Sequence, residues 1–279
     1  MLNFSPSQIQ EQQKRLRRID DVCRLHNISR SIPPSLLQKY TSHFIVDDQY
    51  QILFTFIPKV SCTSWKGVFR RLYKSHKVGQ FTALQKYPKQ DIELRLNTYF
   101  KAVFVREPIT RLLSAYLSKF HGPPKLQRIW EKMYGRKIVK QYRSTEDDTN
   151  RQYPNDPWLN ITFEEFARYI TDNGDAIKLN QITDHFLPMY KVAFPCAIPY
   201  DFIGHFEELN TEASDMLQFL GIDHVVEYPE VHESRSENCL SEELQQVPLR
   251  IIRQLREYYS LDYHLFGYSF NDTFLNKIL

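Results

Sequence analysis

The chain has 279 residues, of which 42% are hydrophobic and 25% charged, and its 36 Lys and Arg against 33 Asp and Glu give a net charge of +3. This is the composition of a globular protein, and it excludes a disordered or fibrous chain. No apolar stretch is long enough to cross a bilayer and the N-terminus lacks the apolar block of a secretory signal, so we expect a soluble chain that attracts polyanions only through local clusters of charge.

An N-terminal arm, residues 1–40, is expected to precede a single domain over residues 41–279. Apolar positions at helical spacing predict a helix within residues 8–30, which ends before Pro33 and Pro34.

A strand that leads directly into a helix comes next. The apolar run of residues 50–57 predicts a buried strand, and apolar residues at three- and four-residue spacing predict a helix over 65–73. The connection carries Lys59, with Thr63 and Ser64 at the start of the helix. Because such a junction points unpaired backbone N–H groups outward, residues 58–66, here named the first anion turn, are suited to bind a phosphate-like group.

A second unit of the same kind spans residues 100–120. A predicted strand over 100–105 is followed by Arg106 and by a helix that has Pro108 in its first turn. Ser114 comes eight residues after Arg106, a little over two helical turns further on. A guanidinium fork and a hydroxyl suit a terminal phosphate, and residues 106–108 are named the second anion turn.

The remaining elements continue the alternation of strands and helices. Residues 121–157 are expected to form an exposed, loop-like insertion. The further expected elements are a helix capped at Thr162 that continues through Tyr169, a strand over 200–206, and helices over 207–220 and 242–259. Apolar strands alternating with helices predict a three-layer α/β fold around a largely parallel sheet.

The cysteines and glycosylation acceptors leave the compartment open. The four cysteines lie far apart without the spacing of a zinc site, and the sequence does not fix their pairing; they are Cys23, Cys62, Cys196 and Cys239. Four Asn-X-Ser/Thr acceptors give a mild indication of a lumenal location; they are Asn3, Asn27, Asn160 and Asn271.

Both anion turns resemble motifs of one enzyme family. PKVSCTSWKGVF, residues 58–69, resembles the loop that binds the 5′-phosphosulfate in carbohydrate sulfotransferases, and FVREPITRLLSAYLSKF, residues 104–120, resembles that family's 3′-phosphate motif. The likeness is to Golgi enzymes that sulfate chondroitin, dermatan and glucuronyl epitopes. It extends over roughly residues 20–270 and looks nearest to the chondroitin 4-O-sulfotransferase branch.

The resemblance implies the sulfotransferase fold, with 3′-phosphoadenosine 5′-phosphosulfate (PAPS) as co-substrate and no metal ion. It assigns the 5′ end of PAPS to the first anion turn, and the 3′-phosphate to the second anion turn together with Ser114. The implied binding residues are Pro58, Lys59, Val60, Ser61, Cys62, Thr63, Ser64, Trp65, Lys66, Arg106, Glu107, Pro108 and Ser114.

The sequence departs from the family pattern in two respects. Thr55 and Ala193 stand where the family usually has cysteines, and the usual N-terminal membrane anchor is absent from the chain as given. If those two cysteines pair with each other in the family, their joint absence is neutral; otherwise Cys23 or Cys196 has a different partner.

Sulfonate transfer to a sugar hydroxyl requires a cation at the departing oxygen and a base for the hydroxyl proton. Lys59 suits the first role because a compact ammonium on a flexible stem can follow the shifting charge. His185 resembles the histidine of the family's Glu-His-Trp position and is the expected base, with Glu107 as the next candidate. Arg235 is a further candidate for a phosphate contact.

Two basic clusters fit an anionic polymer, and with the resemblance the expected partner is an anionic glycan and not a nucleic acid. Residues 66–77 contain five Lys or Arg and no acid, and residues 125–143 contain seven against Glu131 alone. Such runs steer polyanions, although they also occur as solvated faces. The expected reaction is transfer to a hydroxyl of N-acetylgalactosamine in chondroitin or dermatan, position 4 preferred, in the Golgi lumen.

Three other functions remain open. The enzyme could act on a different glycan, at the 3-O position of a glucuronyl group or the 4-O position of an N-linked N-acetylgalactosamine. A heparin-like or nucleic-acid-binding protein would use the basic clusters alone, but it leaves both anion turns unexplained. A nucleotide-dependent phosphotransferase is disfavoured because the GxxxxGK[ST] loop and a magnesium-binding carboxylate pattern are absent.

Overall fold

The computed structural model describes residues 5–32, 41–75, 82–143, 158–174, 176–180, 183–230 and 235–270. The strands in these ranges are β1, Phe44–Asp47; β2, Ile52–Thr55; β3, Thr82–Ala83; β4, Phe100–Val105; and β5, Phe202–His205. The α-helices are α1, Pro6–Leu25; α2, Cys62–Ser75; α3, Lys89–Thr98; α4, Pro108–Phe120; α5, Pro124–Trp130; α6, Arg136–Tyr142; α7, Phe163–Asn173; α8, Tyr190–Ala193; α9, Leu209–Phe219; α10, Arg235–Gln245; α11, Leu249–Tyr258; and α12, Ser260–Phe266.

The strands form one mixed sheet in the order β3-β1-β2-β4-β5. The three predicted strands, β2, β4 and β5, are present and run parallel to one another. Strand β1 runs antiparallel to both of its neighbours, β2 and β3. The predicted α/β class is therefore confirmed, and the sheet is parallel only in the half that carries the two anion turns.

The sequence did not predict strand β1, because the turn that joins it to β2 lacks the usual turn residues. The side chain of Asp47 accepts hydrogen bonds from the backbone N–H groups of Gln49 and Tyr50, at 3.1 and 2.9 Å. Gln51 takes the left-handed conformation, with φ +54°. Asn-Gly or Asp-Gly is the ordinary signal for such a hairpin, and residues 48–51, which connect β1 to β2, contain neither dipeptide.

The chain divides into two compact units. The first comprises Met1–Pro108, Leu179–His232 and Leu261–Ser269 and contains the whole sheet. Its core includes the fully buried centres of β2 and β4. The second comprises Ile109–Lys178, Glu233–Ser260 and Phe270–Leu279, and its described elements are helical. The expected division of the chain at residue 41 stays a prediction.

Helix α1 confirms the predicted N-terminal helix and is fastened to the edge strand β5. The side chain of Gln12 donates to the carbonyl of Ile203 at 3.1 Å and accepts from its N–H at 2.9 Å. The Arg15 guanidinium donates to the same carbonyl at 2.7 Å and pairs with both carboxylate oxygens of Glu212. Side chains thus bind the backbone groups that an edge strand leaves unpaired.

The expected loop over residues 121–157 is wrong for its first half. Helices α5 and α6 are joined by a π-helix, Glu131–Gly135, so that residues 124–142 are helical. Trp130, Tyr134 and Ile138 lie on one side at four-residue spacing and are buried. The many basic residues between them concealed this apolar stripe. Residues 144–157 lie outside the described residues.

The other helical predictions hold with shifted ends. Helix α7 begins with the predicted capping box, in which the side chains of Thr162 and Glu165 each accept a bond from the other's backbone N–H. Helix α9 is preceded by a 3₁₀ turn, Phe206–Glu208. The expected helix over 242–259 consists of the end of α10 and of α11, because Pro248 cannot continue a helix and instead precedes the first residue of α11.

Candidate active site

The first anion turn connects β2 to α2 through two residues in an unusual backbone conformation. Lys59 and Ser61 have φ values of +70° and +49°, a region that residues other than glycine seldom adopt. Val60, between them, is buried in the core and fixes the turn. Residues other than glycine are strained in this left-handed conformation and keep it only where the surrounding structure holds them. They are found most often at functional sites. Helix α2 begins within this turn, at Cys62, and the first N–H groups of a helix have no acceptor within the helix itself.

The residues of this turn do not all present side chains to a ligand. Trp65 is fully buried, with its ring 4.6 Å from that of Phe54 and 4.8 Å from that of Phe104. The side chains of Val60 and Trp65 are therefore core residues, and their predicted part in binding is confined to the backbone. Thr63 is exposed, and Pro58, Lys59, Ser61, Cys62, Ser64 and Lys66 are buried or half-buried along the turn and the start of α2.

Arg106 joins the second anion turn to the first. It follows β4, is only 2% exposed, and donates from its guanidinium to the carbonyl oxygen of Lys59 at 3.1 Å. The guanidinium carbon also lies 3.9 Å from the centre of the Phe206 ring. Because β2 and β4 are neighbouring parallel strands, their carboxyl ends meet at the same edge of the sheet. The two predicted turns therefore lie side by side, and their part in binding one ligand stays a prediction.

The residues after Arg106 are held by a carboxylate and a tyrosine. The backbone N–H of Glu107 donates to the carboxylate of Glu207 at 2.8 Å, and the hydroxyl of Tyr263 donates to the Glu107 carboxylate. Glu107 is thus engaged in shaping its own turn. Pro108 is the buried first residue of α4, and Ser114 lies half-buried on the same helix, in the second unit. The part of Ser114 in phosphate binding stays a prediction.

The predicted base, His185, belongs to a cluster of two imidazoles around one buried carboxylate. Asp184 is 5% exposed, and its two oxygens lie 2.6 Å from Nδ1 of His185 and 2.8 Å from Nε2 of His43. Burial opposes ionisation of Asp184, yet the hydrogen bonds from His185 and His43 hold the pKa of its carboxyl below the ordinary value. Since an ionised carboxylate only accepts, both ring nitrogens donate to it.

His43 was not found from the sequence, and it brings this cluster beside the first anion turn. It precedes β1, a strand that the sequence pattern did not reveal. Its ring centre lies 5.1 Å from that of Phe56, and its carbonyl accepts the Phe56 N–H at 2.9 Å. The ammonium of Lys66 lies 3.6 Å from the centre of the same Phe56 ring. Phe56 therefore separates the imidazole cluster from the first anion turn by one ring.

Tyr228 is a second residue that sequence reasoning missed. Its hydroxyl donates to the Ser61 hydroxyl at 2.6 Å, and its ring centre lies 4.6 Å from that of Trp65. Burial raises the pKa of the Tyr228 hydroxyl, which stays protonated at neutral pH. Arg71 donates to the carbonyl of Glu227 at 2.8 Å. The segment before residue 231 is thus tied to the first anion turn at two points.

The structure shows how the cysteines pair and where the two positions lie at which the family usually has further cysteines. Cys23 and Cys196 form a disulfide, whereas Cys62 and Cys239 are free. The Tyr200 hydroxyl donates to Thr55 at 2.9 Å or to the carbonyl of Ala193 at 2.7 Å. The two positions where the family usually has cysteines therefore lie together around Tyr200, which fits the alternative in which those cysteines pair with each other.

Two further expectations concern Arg235 and metal ions. Arg235 is the first residue of α10, and its side chain lies outside the described residues. In the ranges that the structure describes, no three His, Cys, Asp or Glu side chains are grouped to hold a metal ion. Reaction without a metal stays a prediction.

The sequence matches the profile of the Sulfotransferase family over residues 42–269. Carbohydrate sulfotransferase 14 of Danio rerio is 35% identical over 278 residues, which cover 94% of this chain and 72% of the relative. Carbohydrate sulfotransferase 14 of Homo sapiens is 32% identical, over 81% of this chain and 60% of the relative. Carbohydrate sulfotransferase 11 of Mus musculus is 28% identical, over 92% and 76%. No solved structure matches the chain significantly.

The chain therefore belongs to the sulfotransferase family, and the expected resemblance to carbohydrate sulfotransferases is confirmed. It is a PAPS-dependent sulfotransferase with a glycan acceptor. Identity is higher to carbohydrate sulfotransferase 14 than to carbohydrate sulfotransferase 11, and the comparisons do not single out the expected chondroitin 4-O-sulfotransferase branch. Within the described part of the chain, no helix has both the length and the hydropathy of a membrane span.

Proposed function

We propose that the enzyme transfers the sulfonate of PAPS to a hydroxyl of N-acetylgalactosamine in chondroitin or dermatan, with position 4 preferred. The observation that carries the proposal is the hydrogen bond from Arg106 to the carbonyl of Lys59, which unites the two anion turns. A donor with a phosphosulfate on the 5′ position and a phosphate on the 3′ position of one ribose needs two such anion sites in one pocket. The anionic acceptor is supported by the relatives, which are named as carbohydrate sulfotransferases, and by the basic clusters.

The residues present fit PAPS as the donor. The start of α2 and the left-handed turn at Lys59 and Ser61 offer N–H groups and a cation to the 5′-phosphosulfate. The planar guanidinium of Arg106 suits the 3′-phosphate, for which the motif also names Ser114. Bound PAPS supplies the activated sulfonate.

Lys59 is proposed to neutralise the oxygen that departs from sulfur. Negative charge grows on this bridging oxygen during transfer, and a cation positioned beforehand stabilises it without reorganisation. Lys59 is half-buried in the turn that receives the phosphosulfate, and its backbone is held by Arg106. Partial burial strengthens the interaction because less water screens it.

His185 is proposed to accept the proton of the attacking sugar hydroxyl. Its Nδ1 donates to Asp184, so that the neutral ring presents Nε2 as an acceptor. The side chain is 22% exposed, in contrast to the buried His43 on the other side of the carboxylate. Asp184 and His43 are positioning residues that fix the ring, and Asp184 stabilises the imidazolium that forms.

Incubation with labelled PAPS and a panel of desulfated glycans, followed by disaccharide analysis, tests the acceptor. We expect label at position 4 of N-acetylgalactosamine in chondroitin or dermatan. Label on a glucuronyl 3-O position or on an N-linked glycan would replace the proposed acceptor with one of the alternatives. Incorporation into none of them, together with salt-dependent polyanion binding and no PAPS affinity, would favour the non-enzymatic alternative.

The Golgi lumen is the proposed location. Asn27 and Asn160 are exposed glycosylation acceptors, which suits passage through the secretory pathway. The disulfide between Cys23 and Cys196 is also of the kind that forms in oxidising compartments.

A further inference from the structure

The helical segment α5, π-helix and α6 carries a row of cations on its exposed side. Six cations along it are exposed, at spacings of three or four positions except for the adjacent pair Arg136 and Lys137, and we name them the basic face: Lys125, Arg128, Lys132, Arg136, Lys137 and Lys140. Such spacing keeps side chains on one side of a helix. From residue 125 to residue 140 the face extends about 20 Å at about 1.5 Å per residue, which is long enough to lie along several sugar units.

The acid within this segment does not neutralise the basic face. Glu131 is 5% exposed and turns inward, where its carboxylate accepts from the backbone N–H of Leu159 at 3.0 Å and from the side chain of Gln127 at 3.2 Å. Arg143, just after the segment, is paired with Glu165 at 2.6 Å and is not counted in the face. Among the described residues, no carboxylate forms an ion pair with any of the six cations.

Aromatic rings lie beside two of the cations. The Arg128 guanidinium carbon lies 5.6 Å from the centre of the half-buried Trp158 ring, and the Lys137 ammonium lies 5.5 Å from that of Tyr134. A partly exposed aromatic ring among cations suits the apolar face of a sugar ring whose neighbours carry carboxylates or sulfates.

We propose that the basic face is a binding surface for an extended anionic polysaccharide, the class of polymer that is also the proposed acceptor. The proposal rests on the proposed function for the choice of a glycan over a nucleic acid. The charge of the six residues also steers the polymer at low salt, since the attraction is screened over about 10 Å at 0.1 M ionic strength.

The test replaces Lys132, Arg136, Lys137 and Lys140 by Gln in one variant. A control variant with the same change in charge replaces four exposed cations elsewhere: Lys86, Lys89, Arg250 and Arg253. Binding of fluorescently labelled chondroitin to each protein is measured as a function of salt. We expect the Kd of the test variant to rise at least about tenfold at physiological salt, with a shallower salt dependence, and that of the control variant to stay near the parent value.

A kinetic comparison separates this proposal from the proposed function. For the test variant, we expect KM for polymeric chondroitin to rise more than KM for a short oligosaccharide acceptor. Unchanged chondroitin binding in the test variant, or an equal loss in the control variant, would overturn the basic face as the surface. A loss of duplex DNA binding that exceeds the loss of chondroitin binding would also overturn it, in favour of a nucleic-acid surface. Failure of sulfonate transfer in the parent would count against the proposed function alone, because the binding measurement does not depend on transfer.

Discussion

Lys59 and Arg106 are joined by one hydrogen bond, yet the tasks proposed for them differ and kinetics can separate them. Replacing Lys59 by Ala is expected to lower kcat about 100-fold, because a charge-stabilising group of the transition state is lost. Arg106→Ala is expected to weaken binding of adenosine 3′,5′-bisphosphate about tenfold or more, since a charged phosphate contact is removed. Steady-state kinetics and calorimetric titration measure the two effects.

Arg106 is buried, so its replacement needs a check on folding. Arg106→Lys retains a positive charge without the planar fork and should bind the bisphosphate with intermediate affinity. Lys89→Ala, an exposed site on α3, serves as a control for loss of a cation. Equal nucleotide affinity of a folded Arg106→Ala variant and the parent would refute the assignment.

Asp184→Asn tests the imidazole cluster through its pH dependence. The amide retains the shape but loses the negative charge that favours the imidazolium, so we expect kcat to fall about 10- to 100-fold. The acid limb of the kcat/KM profile should move to lower pH, because the imidazolium is less favoured. Full turnover of His185→Ala would remove the histidine as base.

The ionised carboxylate of Asp184 also stabilises the folded chain, and this contribution depends on pH. Its pKa in the folded chain lies below the ordinary value of 3.8, so its contribution is present above that pH and is lost as the pH falls through the folded value. Asp184→Asn should therefore flatten the decrease in unfolding free energy below pH 4, as measured by urea denaturation at several pH values. A decrease as steep as that of the parent would contradict the cluster.

At the scale of elements, Tyr228 links the segment that follows α9 to the first anion turn. Tyr228→Phe removes the hydroxyl that bonds Ser61 and leaves the ring against Trp65. We expect KM for PAPS to rise several-fold with a smaller change in kcat, and stability to fall by about 1 kcal/mol. Tyr142→Phe removes a comparable hydroxyl bond, to Asp172, far from any anion turn in sequence, and should leave KM for PAPS unchanged. Equal KM values in the two variants would exclude this role.

The elements that the sequence predicted are those with a strong local pattern. Strands β2 and β4 are short runs composed mostly of apolar residues, and α7 has a capping box, so each was recognisable in isolation. Strand β1 has four residues and depends on pairing with β2, which no local pattern reveals. In residues 124–142 the basic residues outnumber those of the buried apolar stripe, so the helical pattern was not recognised.

The candidate site likewise has a part that local sequence patterns predicted and a part that depends on contacts between residues far apart in the chain. The first and second anion turns follow predicted strands, and their adjacency follows from a parallel sheet. His43 lies 141 residues before its partner Asp184 in the chain. Tyr228 lies 167 residues after its partner Ser61. Contacts at such separations are set by tertiary packing, which the spacing of residues does not encode.

At the scale of the whole molecule, the disulfide between Cys23 and Cys196 closes a long loop. The two residues are 173 positions apart, so the bond constrains the unfolded chain strongly. Reduction, or Cys23→Ser together with Cys196→Ser, should lower the unfolding free energy by about 4 kcal/mol. Chemical denaturation with and without reductant measures this, and Cys239→Ser, at a free cysteine, should be close to neutral. Insensitivity of the parent to reductant would show that the bond contributes nothing to stability.

The attachment of α1 to β5 determines how the chain can be shortened. A version that starts after His26 would lose Gln12 and Arg15, exposing the peptide groups of Ile203 and leaving Glu212 without its guanidinium partner. An uncovered strand of this kind recruits a strand from another molecule. Such a trimmed protein should oligomerise or precipitate on purification, however well its catalytic residues are preserved.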